Sequence, residues 1–170
     1  MNIWETLNLW LATGLGVGFA PLAPGTLGSL WGLPLAWWLG GKPTGRQALI
    51  IAALAMLAVP VCHWASVAFF TGGDAGSIVL DEIVAFPLAL LGWRSGAALP
   101  AARRWLRLLL AFGLFRLFDA LKLPPVSWAE MLPGGVGIVA DDLVAAGLAW
   151  IGIAVPRCIG RVAGQRQGKG

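Results

Sequence analysis

Charge is scarce in this chain: 12% of its 170 residues are Asp, Glu, Lys or Arg, against roughly 25% in an average soluble protein. Tyrosine is absent and histidine occurs once, at position 63. The two cysteines, Cys62 and Cys158, stand far apart and match no metal-ligand spacing, so both read as buried small hydrophobes. The opening "MNIWETLNLW" has no basic stretch and no evident cleavage site, which argues against a secretory signal. No internal repeat and no domain linker is visible, and the length suits one domain.

What the chain has instead is apolar surface. It is 58% hydrophobic, its mean hydropathy is +0.80, and most of its ten Trp lie near the ends of apolar runs, as at membrane interfaces. These features predict an all-α, compact, polytopic membrane protein with about five to six apolar helices, some short or re-entrant. Residues 1–156 form its single membrane-embedded domain, and 157–170 a basic, disordered tail. That tail either lies against anionic headgroups or simply solubilises the end of the chain.

The clearest span is 48–70, "ALIIAALAMLAVPVCHWASVAFF", long enough to cross the hydrocarbon and kinked at Pro60. His63 inside it reads as a hydrogen-bonded core histidine more readily than as a ligand. Further runs occupy 27–41, 77–93, 104–121 and 134–155, with Pro34 and Pro87 interrupting the first two. A Gly-rich opening segment, 6–20, is expected as a helix lying on or dipping into the membrane. If each of the five main runs crosses once, three acidic clusters fall at one face: Asp81 with Glu82, Asp119 near Lys122, and Asp141 with Asp142. Thr26, Gly28 and Ser29 open the first span at that same face.

Those clusters hold five of only eight acidic residues. An ionisable group inside a membrane segment costs on the order of 3 kcal/mol or more at the centre. Arg116 and Lys122, at helical spacing from Asp119, can neutralise it locally, which leaves Asp81, Glu82, Asp141 and Asp142 short of partners. A hard divalent cation such as Mg²⁺ completes such a set, since it takes a few carboxylates, keeps waters and recruits phosphate oxygens. A buried ion-pair network, or an ion or proton pathway, are the competing readings. "GFAPLAPGTLGS" (18–29) sets Gly25, Thr26, Gly28 and Ser29 before an apolar helix, where they either hold a phosphate or make a turn and cap. "PGGVG" (133–137) either admits a ligand to the backbone or turns the chain.

Together "PLAPGTLGSLWGLP", "SIVLDEIVAFPL" and "FRLFDALKLPPVSWAEMLPGGVGIVADDLVA" resemble the phosphatidylglycerophosphatase A family over about residues 14–150. The resemblance implies an all-α, Mg²⁺-dependent lipid phosphatase of the bacterial inner membrane. Such an enzyme converts phosphatidylglycerophosphate to phosphatidylglycerol and phosphate. By position the family's acidic motifs fall on Asp81 and Glu82, Asp119 with Lys122, and Asp141 and Asp142; its glycine-rich stretch falls on Pro24, Gly25, Thr26, Gly28 and Ser29. Ala85, Leu123 and Ala140 depart from the family pattern without removing a charge.

The roles expected are these. Asp81, Glu82, Asp141 and Asp142 supply metal ligands. Lys122, Arg116, Thr26, Gly28 and Ser29 bind the substrate. Asp119 acts as base or further ligand, so that Asp119, Lys122 and Asp141 form the catalytic set. Cysteine-based chemistry lacks an Arg beside Cys62, and histidine-based chemistry lacks a second His. The expected partners are the lipid substrate and the bilayer; a homo-oligomer is compatible with the sequence, and a nucleic acid is not expected. A transporter or ion pathway is the alternative function. Basic residues place the tail in the cytoplasm and the site opposite, whereas the family's substrate arises on the cytoplasmic leaflet.

Overall fold

The computed structural model describes residues 1–71, 75–94 and 100–167, with side chains to Val155 in the last helix. The described residues form seven α-helices and no strand, as the composition predicts. The helices are α1 (Ile3–Ala12), α2 (Pro24–Leu39), α3 (Thr44–Phe69), α4 (Leu80–Ala85), α5 (Ala101–Leu121), α6 (Val126–Glu130) and α7 (Gly135–Gln167). Two of them, α3 and α7 over Gly135–Val155, are long and apolar enough to cross a membrane.

The first helix begins earlier and ends earlier than the apolar pattern suggests. Asn2 caps it, accepting from the Glu5 N–H at 2.9 Å while Glu5 accepts from the Asn2 N–H. Gly14 and Gly16, both at positive φ, then turn the chain after Ala12. Pro34 and Pro60 lie inside continuous helices, so neither breaks its run.

The 77–93 stretch is not the single apolar helix its composition suggests. Six residues of α4 pass into a 3₁₀ turn at Phe86–Leu90, with Pro87 near the junction, spanning about 19 Å at the usual rises. It nevertheless runs from one end of the bundle to the other. Asp81 sits at its start, and at its end the Gly92 N–H reaches Gln47 near the start of α3. Ala85, Phe86, Ala89 and Leu90 are at most 5% exposed. The packed helices α2, α3, α5 and α7 surround the segment. An irregular backbone is tolerable there because the surrounding helices cover it.

Small side chains make that closeness possible. Ala36, Ala85, Ala89, Ala111, Ala145, Ala146 and Ala149 line one half of the core, and Ala12, Ala55, Ala58 and Ala65 the other. Gly28 and Gly32 press α2 onto the central segment: a Cβ on Gly28 would lie 2.6 Å from Val79, and one on Gly32 3.0 Å from Phe86. Many of the larger apolar side chains outside this core point outward. Leu49 and Met56 on α3 are each 70% exposed, and Leu109 on α5 is 64% exposed.

Candidate active site

Three helices deliver the acids to one end of the bundle. Asp81 and Glu82 occupy the first turn of α4, where the helix dipole favours negative charge. Asp119 lies in the last turn of α5, and Asp141 and Asp142 about two turns into α7. Ser29, on α2, completes the approach. All five acids and Lys122 line a cavity of about 190 Å³, with Gly76, Ile78 and Ala120. The convergence inferred from spacing therefore holds. Asp81, Asp141 and Asp142 are each only 3% exposed.

The two adjacent-acid pairs share one local device. The Glu82 N–H donates to Asp81 Oδ1, and the Asp142 N–H donates to Asp141 Oδ1, each at 2.9 Å. The first carboxylate of each pair is thereby held against its own helix. Asp142 faces the negative charges of Asp81, Asp119, Glu82 and Asp141.

Cations are better used than helical spacing alone suggests. Arg116 does pair with Asp119, Nη1 to Oδ2 at 2.6 Å, and the same nitrogen reaches Glu82 Oε1 at 3.1 Å across 34 residues. Lys122 lies 3.1 Å from Asp141 Oδ2 and 2.7 Å from Glu130 Oε1. The expectation that Glu82 and Asp141 lack partners is therefore corrected. Glu130 is the neighbour that sequence reading missed; it belongs to a connection, and only the turn of the chain through α6 brings it to Lys122. The cavity lining itself holds five acids and one cation, Lys122, with Arg116 bridging two of the acids. Burial pushes the Glu82 carboxyl up to about 7, a rise that Arg116 opposes and Asp119 reinforces.

Lys122 adopts φ +44° at the C-terminus of α5, a left-handed conformation that costs a residue with a Cβ roughly 1 kcal/mol. The strain falls on a residue of the cavity wall, a pattern frequent at functional sites.

The glycine-rich stretches serve helix contacts. A Cβ on Gly25 would come within contact distance of the Glu82 carboxylate and Arg116, and one on Gly28 would lie 3.0 Å from Glu82 Oε2. Ser29 is fully buried, with Oγ 2.9 Å from the Gly25 carbonyl and 3.0 Å from Glu82 Oε2. Its single proton serves one of these at a time. Arg116 Nη1 lies 3.5 Å from the same hydroxyl. Thr26 remains half-buried near the start of α2. Gly135 presses against α3, where a Cβ would lie 2.7 Å from the Cβ of His63. His63 is hydrogen-bonded, as expected, but exposed rather than in the core.

Buried carboxylates around a polar cavity at one end of an apolar helical bundle form a candidate site for charged chemistry beside an apolar surface. The phosphatidylglycerophosphatase A profile matches residues 10–156, and the chain belongs to that family. It is 33% identical over 141 residues to the Escherichia coli (strain K12) phosphatidylglycerophosphatase A, covering 81% of this chain and 77% of that one. It is 39% identical over 137 residues to the Haemophilus influenzae phosphatidylglycerophosphatase A, covering 80% of each. A Bacteroides thetaiotaomicron protein named "Putative phosphatidylinositol-3-phosphatase" is 35% identical over 159 residues, covering 90% of this chain and 95% of that one. No solved structure matches the chain.

Proposed function

We propose that this protein is a magnesium-dependent phosphatase that hydrolyses phosphatidylglycerophosphate to phosphatidylglycerol and inorganic phosphate. The observation that carries the reading is the convergence of Asp81, Glu82, Asp119, Asp141 and Asp142 on one cavity in a member of this family.

The donor set suits magnesium. It consists of hard carboxylate oxygens, negative in excess, beside a cavity able to admit a small hydrated ion. Among the described residues no three acidic, His or Cys side chains gather closely enough to hold a metal ion together. Magnesium commonly binds through one or two carboxylates and keeps its waters, so an open arrangement fits it better than a cage would. One or two of Asp81, Glu82, Asp141 and Asp142 would hold it, the others serving its waters. When bound, it neutralises phosphate oxygens and lowers the pKa of a coordinated water.

The chain's own residues do the rest. Lys122 presents a point charge to the substrate phosphate while Asp141 holds its amine at the cavity. Arg116 keeps Glu82 and Asp119 in register, and its guanidinium adds positive potential for the phosphate. Asp119 takes the proton of the attacking water or serves as a further ligand. Thr26 lies near the α2 N-terminus, where its hydroxyl can donate to a phosphate oxygen; Gly28 and Ser29 act by holding Glu82. In the net reaction the water oxygen bonds to phosphorus, the bond from phosphorus to the glycerol oxygen breaks, and that oxygen gains a proton.

The outward-facing Leu, Met and Trp side chains and the two long apolar helices support a multi-pass position in the bacterial inner membrane. The central 77–93 segment is then sheltered by the crossing helices. We place the cavity at the cytoplasmic face, where the family's substrate arises. Acids gathered at one end support an enzyme over an ion pathway, which calls for acids along the depth.

The test offers purified full-length protein in detergent either phosphatidylglycerophosphate or phosphatidylinositol 3-phosphate and measures released phosphate. Release from the first lipid, lost with chelator, restored by Mg²⁺ and abolished by Asp141→Asn, is the expected outcome. Preference for the inositol lipid would overturn the substrate, and full activity in chelator would overturn the metal.

A further inference from the structure

The helix that carries Asp141 and Asp142 starts without a conventional cap. Its first residues follow Pro133 and Gly134, and no Ser, Thr, Asp or Asn stands there to accept its first free N–H groups. The acceptor comes from another helix. The Gly135 N–H donates to Nδ1 of His63, on α3, at 3.3 Å. Gly134, at φ +60°, and Gly135 have no room for a Cβ beside that ring: it would lie 2.7 Å from Nδ1 at the first and 2.7 Å from the His63 Cβ at the second. The imidazole thus both caps α7 and fixes how closely its start approaches α3.

The same face of α7 leads to the acids. Seven residues at 100° each return to within about 20° of the starting direction, so Asp142 lies almost directly along the axis from Gly135, about 10 Å further on. Ile138 and Val139 lie between them and pack with Ala58, Cys62 and Ala65 of α3. A shift of the α7 start against α3 is therefore carried along a rigid, packed face to the cavity.

We propose that His63 is a positioning residue for the phosphatase reaction: its Nδ1 holds the start of α7 on α3 and so sets Asp142 in the acidic cavity. The claim for turnover rests on the proposed function, whereas the contact itself does not. Accepting at Nδ1 requires the neutral ring to carry its proton on Nε2.

His63 is the only histidine, so ¹⁵N-histidine labelling of the full-length protein gives one ring to read. The neutral Nε2–H tautomer is expected; an Nδ1–H tautomer would overturn the contact whatever the activity. In kinetics, His63→Leu should lower kcat about tenfold with KM within twofold, consistent with a lost orienting contact. His63→Asn, whose side-chain oxygen can accept from the same N–H, should recover at least half of the wild-type kcat. Wild-type kcat in His63→Leu, or equal impairment of both variants at matched folded fraction, would overturn the inference. A His63→Leu protein that does not fold leaves the tautomer and His63→Asn to decide, and an Asn variant impaired tenfold would then count against it. If the wild type itself releases no phosphate from the lipid, it is the proposed function that fails.

Discussion

The start of α3 and the acidic cavity bury polar groups in opposite ways. Near its start, Gln47 is 2% exposed and fully engaged: its Nε2 donates to the carbonyls of Lys42 and Trp93, at 3.0 and 3.1 Å, and its Oε1 accepts from the Gly92 N–H at 2.8 Å. The network is neutral and ties three chain segments together. At the acidic cavity the buried groups are carboxylates in excess over the cations that line it. A satisfied neutral network rigidifies a core. Uncompensated buried charge does the reverse, and a fold retains it where something other than stability depends on it. The first is fastening, and the second is the proposed working surface.

The sharpest way to break that contrast is Asp142→Asn. The carboxyl is penalised first by its burial and then by four neighbouring acids, so Asp142→Asn should raise Tm in chelator, by about 2–4 °C per kcal/mol relieved. Turnover should fall by about 10²–10³-fold, the usual scale for losing one preorganised electrostatic group. A variant that is both less stable and fully active would make the acidic end a structural network like the other. Calorimetry in detergent, paired with phosphate release, reads both quantities from one preparation.

The counterpart at the neutral end is Gln47→Leu. It leaves two carbonyls and one N–H without their partner, at about 1–3 kcal/mol for a buried unsatisfied group. Tm should drop by roughly 5–10 °C while kcat per folded molecule stays at the wild-type value. A loss of kcat at matched folded fraction would show that the two regions are coupled.

How far the sequence reveals this contrast depends on the range of each interaction. The apolar runs mark α2, α3, α5 and α7, because helix period and length are local properties. The acidic clusters converge as spacing suggests, since each lies near the end of an element whose direction alternates through the bundle. The break at Pro87 is obscured because a short buried segment has the composition of a span without needing its regular hydrogen bonds. The bridge from Arg116 to Glu82 and the cap from His63 to Gly135 join residues 34 and 72 positions apart, and no local pattern encodes them. The glycines of α2 are visible as a motif, but whether they face a phosphate or a helix depends on what packs opposite; here it is Val79, Glu82 and Phe86. Glu130 is hidden for the same reason, as the path of α6 alone places it on Lys122.

A smaller effect sharpens the comparison through pH. Glu82 lies on α4, outside the two long apolar helices, and burial raises its carboxyl from 4.5 to about 7 against the pull of Arg116. The folded protein therefore holds this proton where the unfolded chain has released it. That contribution to stability is fully present below pH 4.5 and is lost as pH rises through 7. In chelator, Tm should fall by a few degrees between about pH 5 and 8, and Glu82→Gln should flatten the slope. Gln47→Leu should lower the whole curve and leave its slope unchanged, because no group of that network titrates in the range. A slope that survives Glu82→Gln would assign the pH response to other carboxylates of the cavity, and one that vanishes in Gln47→Leu would deny that the two regions act separately.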